Sequence, residues 1–450
     1  MAIGFDFGTS NCSVAHIVDD NVVPIPLVDN EFYITSTLSA PNRESVTEHL
    51  YRYRNISPIN DIGTQLLRSS MNLNKAQGID VLLDDLKFGV EATSLYLSDP
   101  TEVYYVKSPK SFLGLLGLRE VQLAIFEDLV CAMMANIKFN GESQLEESID
   151  EAVIGRPINF HLRGDDESNR QGQNILHSAA TRAGFKSVEF QYEPVAAGLE
   201  YESTLTSDKN VLVVDVGGGT SDCSLIRMGP SWVGKQQRSE TLLAQSGMFT
   251  GGNDMDIYIA FKKFMLEFGK GTSRSSGLQI PTMTFWEPVA INDIEAQRRF
   301  YKHDNLRELK KLLSESNSPE KIARLISVYE NTLGHSMVGE AEKTKIALST
   351  NESYTAVIDL LTEEVNIPVS LEQMKDATAA PVQKIAKLVQ ETLTQAETKP
   401  DVIFITGGSA RSPIIREAVK SVVKDIPFVN GDYFGSVTAG LARWANVCFR

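Results

Sequence analysis

Residues 6–13 read DFGTSNCS and residues 215–224 read DVGGGTSDCS. Apart from two extra glycines, the second stretch nearly repeats the first. Each follows an apolar run (AIGF, VLVV) and precedes another (SVAHIV, CSLI), which predicts strand, turn and strand twice over. A glycine-rich turn lets the backbone approach an anion closely and present several N–H groups to it. The hydroxyls of Thr9, Ser10, Thr220 and Ser221 add donors. A Walker loop needs GxxxxGK[ST] between strand and helix, and that pattern is absent. A dinucleotide GxGxxG also has to open a helix, so that site is not expected. Either turn alone reads as an ordinary hairpin. Two matching turns, each with an aspartate at the end of an apolar strand, read instead as the two walls of one polyphosphate cleft. A carboxylate at such a place is costly unless compensated, and hydrated Mg²⁺ is its natural partner.

Bulk properties fit this reading. A length of 450 residues allows about three domains or one large two-lobed fold. Hydrophobic content of 42% and charged content of 22% are those of an ordinary globular chain. The net charge of −15 disfavours nonspecific binding to nucleic acid or an anionic membrane. Cys12, Cys131, Cys223 and Cys448 are scattered without a CxxC pair and read as free thiols. Met1 leads at once into IGFDF, so no secretory leader is expected, and no apolar run reaches the length of a membrane span. The expected location is cytoplasmic.

Along the chain, residues 1–28 form successive short strands, and residues 29–106 are mixed and polar. Helical spacing marks 119–139, 168–183 and 254–268, with EAVIG a strand between the first two. Residues 270–290 predict a loop or insertion, and helices follow from about 293 to 347. Residues 354–359 and 364–369 predict a hairpin. Ser370 and Gln373 predict a capping box, and Pro381 an interruption or kink in the helix it opens. DVIFIT is a buried strand, Ser412 and Pro413 open a helix, and VTAGLARWANV forms the last one. Alternating strands and helices indicate an α/β fold.

The paired turns resemble the phosphate loops of the actin-like ATPase superfamily, and the wider motif set resembles the heat-shock protein 70 chaperones. AIGFDFGTSN resembles that family's first signature, VLVVDVGGGTSDCSLI the second, and ITGGSARSPIIREAV the third, adenosine-contacting one. FTGGNDMD, AVIGRP and YEPVAAGLEY resemble further family stretches, in family order from Ala2 to about Gly440. The resemblance covers the nucleotide-binding region only. It implies an α/β actin-like ATPase fold, two lobes with mixed sheets flanked by helices around a central nucleotide cleft. Lobe I would span 1–205 with a return at 428–450, and lobe II 206–427.

The implied activity is slow hydrolysis of ATP to ADP and phosphate, with ATP and Mg²⁺ bound, coupled to lobe opening and closing in a chaperone-like protein. Implied partners are nucleotide and client or co-chaperone proteins, with no nucleic acid and no membrane. By resemblance, Asp6 and Asp215 hold the waters around Mg²⁺. Gly8, Thr9, Ser10 and Asn11 meet phosphate from one lobe, and Gly217, Gly218, Gly219 and Thr220 from the other. Lys110 matches the family's catalytic lysine, and Glu193 a carboxylate that orients water, with Pro157 and Arg170 relaying between lobes. Thr220 joins the catalytic set. Gly251 and Gly252 belong to the FTGGNDMD motif. Glu342, Lys345 and Ser349, with Gly407, Gly408, Ser409 and Arg411, match positions that contact adenosine.

The chain departs from the family in places. Ile346 stands where the family usually has an arginine on the adenine face, losing a cation–π contribution of about 0.5–2 kcal/mol. Phe434, with Asp432 nearby, occupies an acidic family position. The chain ends without the hydrophobic linker and peptide-binding domain of typical chaperones, which reads as a divergent member lacking that domain. Segments 30–106 and 270–340 match poorly. Two other functions of the superfamily compete: a sugar-type small-molecule kinase, and a nucleotide-dependent scaffold or filament. Lys110 together with YEPVAAG fits the chaperone branch better.

Overall fold

Long apolar runs such as VLVV and VIFI have no polar face, so they suit strands covered on both sides. In the computed structural model, which describes residues 1–28, 30–99, 102–161, 165–430 and 435–449, these two runs pair at the centre of one of two mixed sheets. Asp432 and Phe434 lie outside the described residues. The first sheet contains β1 (Ala2–Phe7), β2 (Asn11–Val18), β3 (Asn21–Pro24), β4 (Glu151–Arg156) and β5 (Ser187–Tyr192) in the order β3-β2-β1-β4-β5, with a short strand at Ile34–Thr35 paired to β2. The second contains β6 (Lys209–Val216), β7 (Ser221–Met228), β8 (Leu242–Met248), β9 (Val402–Thr406) and β10 (Phe428–Asn430) in the order β8-β7-β6-β9-β10. In both, the first strand runs antiparallel to the second and parallel to the fourth. The duplication read from two short turns therefore extends to a whole sheet topology.

Two helices lie between these sheets. The first, α1 (Glu193–Glu202), follows β5; the second, α2 (Ser436–Cys448), comes after β10. Each carries the same short pattern, VAAGL at 195–199 and VTAGL at 437–441. Each packs mainly on the sheet of the other half. A Cβ at Gly4 of β1 would collide with the backbone of Leu441 and Ala442, and one at Gly198 would strike Met228 of β7. Where the helices cross, Gly440 lies directly against the carbonyl of Ala196. Ala196, Ala197, Val213, Met228, Leu441 and Ala445 share one buried core there.

The chain forms two compact units, Met1–Thr250 with Ala386–Ala410 and Val419–Arg450, and Gly251–Ile385 with Arg411–Ala418. Both of these sheets belong to the first unit, so these units divide the chain at other points than residues 205 and 427. The polar stretch after β3 holds a small sheet built on Thr37–Ala40 and the helices Arg43–Arg54 and Asp61–Gln77. Asn42 and Asn60 cap those helices by accepting from the N–H groups of Ser45 and Gly63.

In the second unit the expected hairpin pairs Ser353–Asp359 with Glu364–Ser370. The capping box forms: Gln373 N–H donates to Ser370 Oγ at 3.2 Å, and Ser370 N–H to Gln373 Oε1 at 2.9 Å. Of the interruption or kink expected at Pro381, the interruption does not occur; the helix Leu371–Gln395 runs through it. Proline removes only one N–H, and Ala377, Thr378, Val382 and Ile385 bury the helix on both sides of that gap. Within the loop expected at 270–290, Met283–Trp286 forms one helical turn. Cys12, Cys131, Cys223 and Cys448 are free thiols. Among the described residues no helix is long and apolar enough to cross a membrane.

Candidate functional site

Strand register defines the two turns. Phe7 pairs with Cys12 and Val216 with Ser221, leaving four residues in each turn, 8–11 and 217–220. The two glycines that look like an insertion are therefore not one. Aligning the shared Cys-Ser pairs misplaces them by two residues, because Cys12 corresponds to Ser221 rather than Cys223. Gly217 N–H donates to the Thr220 carbonyl at 3.0 Å and closes the second turn. The tips face one another within the first unit: a Cβ on Gly219 would lie 2.6 Å from Thr9 Cγ2 and 3.3 Å from Ser111 Oγ. Glycine is required there by the approach of the opposite turn.

Behind the tips sits a cluster of acids around one lysine. Burial pushes Asp6 up to about 7; Glu193 adds to the rise and Lys110 opposes it. Asp215, buried, is held well above the ordinary range by desolvation first, then by Glu193, Asp222 and Asp6. Asp222, opposite Asp215 in the β6–β7 register, is pushed up to about 8 by burial and Glu193. It accepts the Ile158 N–H at 3.0 Å and is hydrogen-bonded by the Thr220 side chain. Lys110, only 4% exposed, pairs with Glu193 and donates to the Gly155 carbonyl at 3.3 Å. Ser108 in the left-handed region (φ 58°) turns the chain into Pro109–Phe112 and so delivers this lysine. Glu193 occupies the first turn of α1 beside Pro194, where the helix dipole favours a negative charge.

Four carboxyl groups thus share one ammonium. Burial and the neighbouring carboxylates raise the proton affinity of Asp6, Asp215 and Asp222, as expected of negative charge with too little compensation, and hard oxygen donors of this kind suit Mg²⁺. Among the described residues no three His, Cys, Asp or Glu side chains converge closely enough to ligate a metal directly. An ion here would be held through water and phosphate oxygens.

The third signature joins the same site. Gly407 takes φ 86°, and a Cβ there would strike the Val216 carbonyl and Asp215. Thr406 lies beside Asp215 in register, and Ser409 Oγ donates to the Gly217 carbonyl at 3.1 Å. Gly408 opens the turn Gly408–Arg411. Gly8, Thr9, Ser10, Asn11 and Gly218 lie in the facing turns, and the Ser10 carbonyl accepts from Ser36 N–H at 2.9 Å. Pro157 follows β4 at the site's edge. Arg170 is exposed on the helix Asp166–Arg182.

Gly251, Gly252, Glu342, Lys345, Ser349 and Arg411 belong to the second unit. Gly252 opens the helix Gly252–Lys262, and its carbonyl accepts from Lys345 Nζ at 3.1 Å. Lys345 is also paired with buried Asp256 at 2.8 Å, so the lysine is a structural tie between two helices. Ser349 Oγ donates to the Lys345 carbonyl at 3.0 Å. Ile346 is 62% exposed, an aliphatic surface where an arginine was expected. Asp222 escaped the reading of the sequence. Its signal is the spacing: an aspartate one strand-pair across a four-residue turn from Asp215.

Two sheets of one topology, with facing glycine turns over a shared acid cluster, define the actin-like ATPase fold. The Hsp70 protein family profile matches residues 122–275 and 321–448, more than half of the chain, and the chain belongs to that family. It is 25% identical over 310 residues to the chaperone protein DnaK of Akkermansia muciniphila, covering 67% of this chain and 38% of that protein. It is 25% identical over 350 residues to a chaperone protein HscA homolog of Cupriavidus necator, covering 76% of this chain and 45% of the relative. A 136-residue stretch is 33% identical to an HscA homolog of Acinetobacter baylyi, covering 29% of this chain and 20% of that protein. The chain spans less than half the length of each of these relatives. The family is one of chaperone-type ATPases that bind ATP.

Proposed function

We propose that this chain binds ATP with Mg²⁺ and hydrolyses it slowly to ADP and phosphate, as a chaperone-like switch. The observation that carries the reading is the Lys110–Glu193 pair set beside Asp6, Asp215 and Asp222. Phosphoryl transfer needs positioning and charge stabilisation more than covalent help. Lys110, anchored by Glu193 and the Gly155 carbonyl, is preorganised to meet charge on the γ-phosphate. Glu193 accepts a hydrogen bond from the attacking water and orients it. Asp6 and Asp215 hold the waters of the metal shell, and the turns at 8–11 and 217–220 offer N–H and hydroxyl donors to the phosphates. Magnesium, when bound, neutralises charge on the phosphate oxygens.

Glu342, Lys345, Ser349, Gly407, Gly408, Ser409 and Arg411 would contact adenosine, with Ile346 giving the base an apolar face. Lobes 1–205 with 428–450, and 206–427, would open and close with nucleotide state, in the cytoplasm, with client or co-chaperone proteins as partners. Lys110→Ala should slow hydrolysis by roughly 10²–10³-fold, the usual effect of deleting one preorganised transition-state donor, with binding retained. An unchanged chemical step in single-turnover measurements would remove Lys110 from the mechanism. Millimolar ATP with Mg²⁺ should also raise the melting temperature.

A further inference from the structure

In a chain of net charge −15, three lysines gather on one aromatic surface of the second unit, apart from the residues assigned above. Lys270 follows Gly269, whose φ of 102° turns the chain, and holds its ammonium 4.7 Å from the centre of the Phe261 ring. Lys262 lies 5.9 Å over Tyr258 and donates to the Asp376 carbonyl at 3.1 Å. Lys263 reaches the Asp376 carboxylate at 3.2 Å. Trp286 backs the group, meeting Phe261 edge-on at 5.1 Å and Tyr258 at 5.5 Å.

Lys270 is the odd member. It is half-buried, and its ammonium has neither hydrogen-bond nor ion-pair partner among the described residues. The charges that face it are those of Lys262 and Lys263, and these add to partial burial in pushing its pKa down. A partly desolvated cation beside two like charges opposes folding unless an anion joins it.

We propose that Lys262, Lys263 and Lys270, backed by Phe261 and Trp286, form a docking site for an acidic peptide segment of a partner protein. The exposed Asp376 carboxylate already shows how the site takes one such group. Three separate ammonium groups with no guanidinium fork suit carboxylates spaced along a chain better than a single phosphate, which favours bidentate arginine. The aromatic backing gives the peptide's apolar atoms a surface to cover.

The test is fluorescence anisotropy of labelled hexaglutamate titrated with the full chain, independent of nucleotide. Binding should weaken with added salt. Lys270→Ala should weaken it by about fivefold, the scale of one partly exposed ion pair. Lys343→Ala, which removes an exposed lysine paired with Glu340, should leave it unchanged. The proposal is overturned by an absence of binding or by equal losses in both variants. Displacement by inorganic phosphate as effective as by unlabelled hexaglutamate would mean a simple anion site and overturn it equally.

Discussion

The two halves of the first unit are one plan executed twice. Each has a main path of five strands in the same order, a four-residue glycine turn after an aspartate, and a closing helix with the pattern VxAGL. They differ at three matching places. Opposite the aspartate, the first half has Ser13 and the second Asp222. In the turns, GTSN matches GGGT. At the start of the closing helix, Glu193-Pro194 matches Gly435-Ser436 by the VxAGL alignment. The repeated parts set backbone geometry and place one aspartate in each half, whereas the side chains that distinguish the halves are unrepeated. Lys110 and Glu193 come from the first half alone, and the extra carboxylate Asp222 from the second. A symmetric scaffold thus presents an asymmetric acid cluster.

The largest effect should come from the glycines of the closing helices, which match in sequence but not in surroundings. A Cβ at Gly440 meets the backbone carbonyl of Ala196, which cannot yield without moving α1. A Cβ at Gly198 meets the flexible end of Met228. Gly440→Ala should therefore destabilise the chain by about 3 kcal/mol or more, at the upper end of overpacking. Gly198→Ala should cost about 1 kcal/mol. Urea unfolding of both variants tests this, and equal values would show that the helix crossing is as forgiving as the sheet contact.

What could be read without coordinates follows the same division. Asp6, Asp215 and the glycine turns announce themselves because a carboxylate ending an apolar strand is costly and glycine permits unusual backbone. The capping residues Ser370 and Gln373 act within one turn, so their reading held. Asp222 stayed hidden because its importance depends on pairing register, and the shared Cys-Ser suggested a register two residues off. Pro381 does not end its helix because buried neighbours on both sides outweigh one lost hydrogen bond. The helices after β3 are capped by asparagines amid a polar composition, without a strong apolar stripe to mark them. The Lys262–Lys263–Lys270 group joins residues from the end of a helix and beyond a turn, a proximity that sequence spacing does not reveal.

Asp222→Ser makes the second hairpin resemble the first and should act through pH. Folded Asp222 keeps its proton up to about 8, whereas an unfolded aspartate releases it near 3.8. Between those values the folded state holds more protons, so this residue makes stability fall as pH rises. The variant loses the acceptor of the Ile158 N–H, a cost of roughly 1–3 kcal/mol at pH 5. That deficit should shrink steadily towards pH 9, where the parent has to carry a buried charge. Chemical denaturation of metal-free protein across this range is the measurement. A deficit independent of pH would mean that Asp222 is not proton-bearing in the fold.

The smallest effect should be at Ser13, the first-half counterpart of Asp222. Both residues tie their hairpin to the other half of the plan: Asp222 to the Ile158 N–H after β4, and Ser13 Oγ to Thr438 Oγ1 on α2 at 2.5 Å. The serine tie joins two neutral hydroxyls, both buried, and carries no charge to desolvate. Ser13→Ala should therefore cost roughly 1 kcal/mol, the net worth of one neutral hydrogen bond, with no pH dependence between 4 and 9. Much of that loss arises from leaving the Thr438 hydroxyl unpaired. Adding Thr438→Val removes the orphan without changing shape, so the double variant should be more stable than the sum of the single changes implies. Strict additivity in that cycle would show that the two hydroxyls do not bond in solution. The hairpins would then be joined to their opposite halves by packing on one side and by a carboxylate on the other.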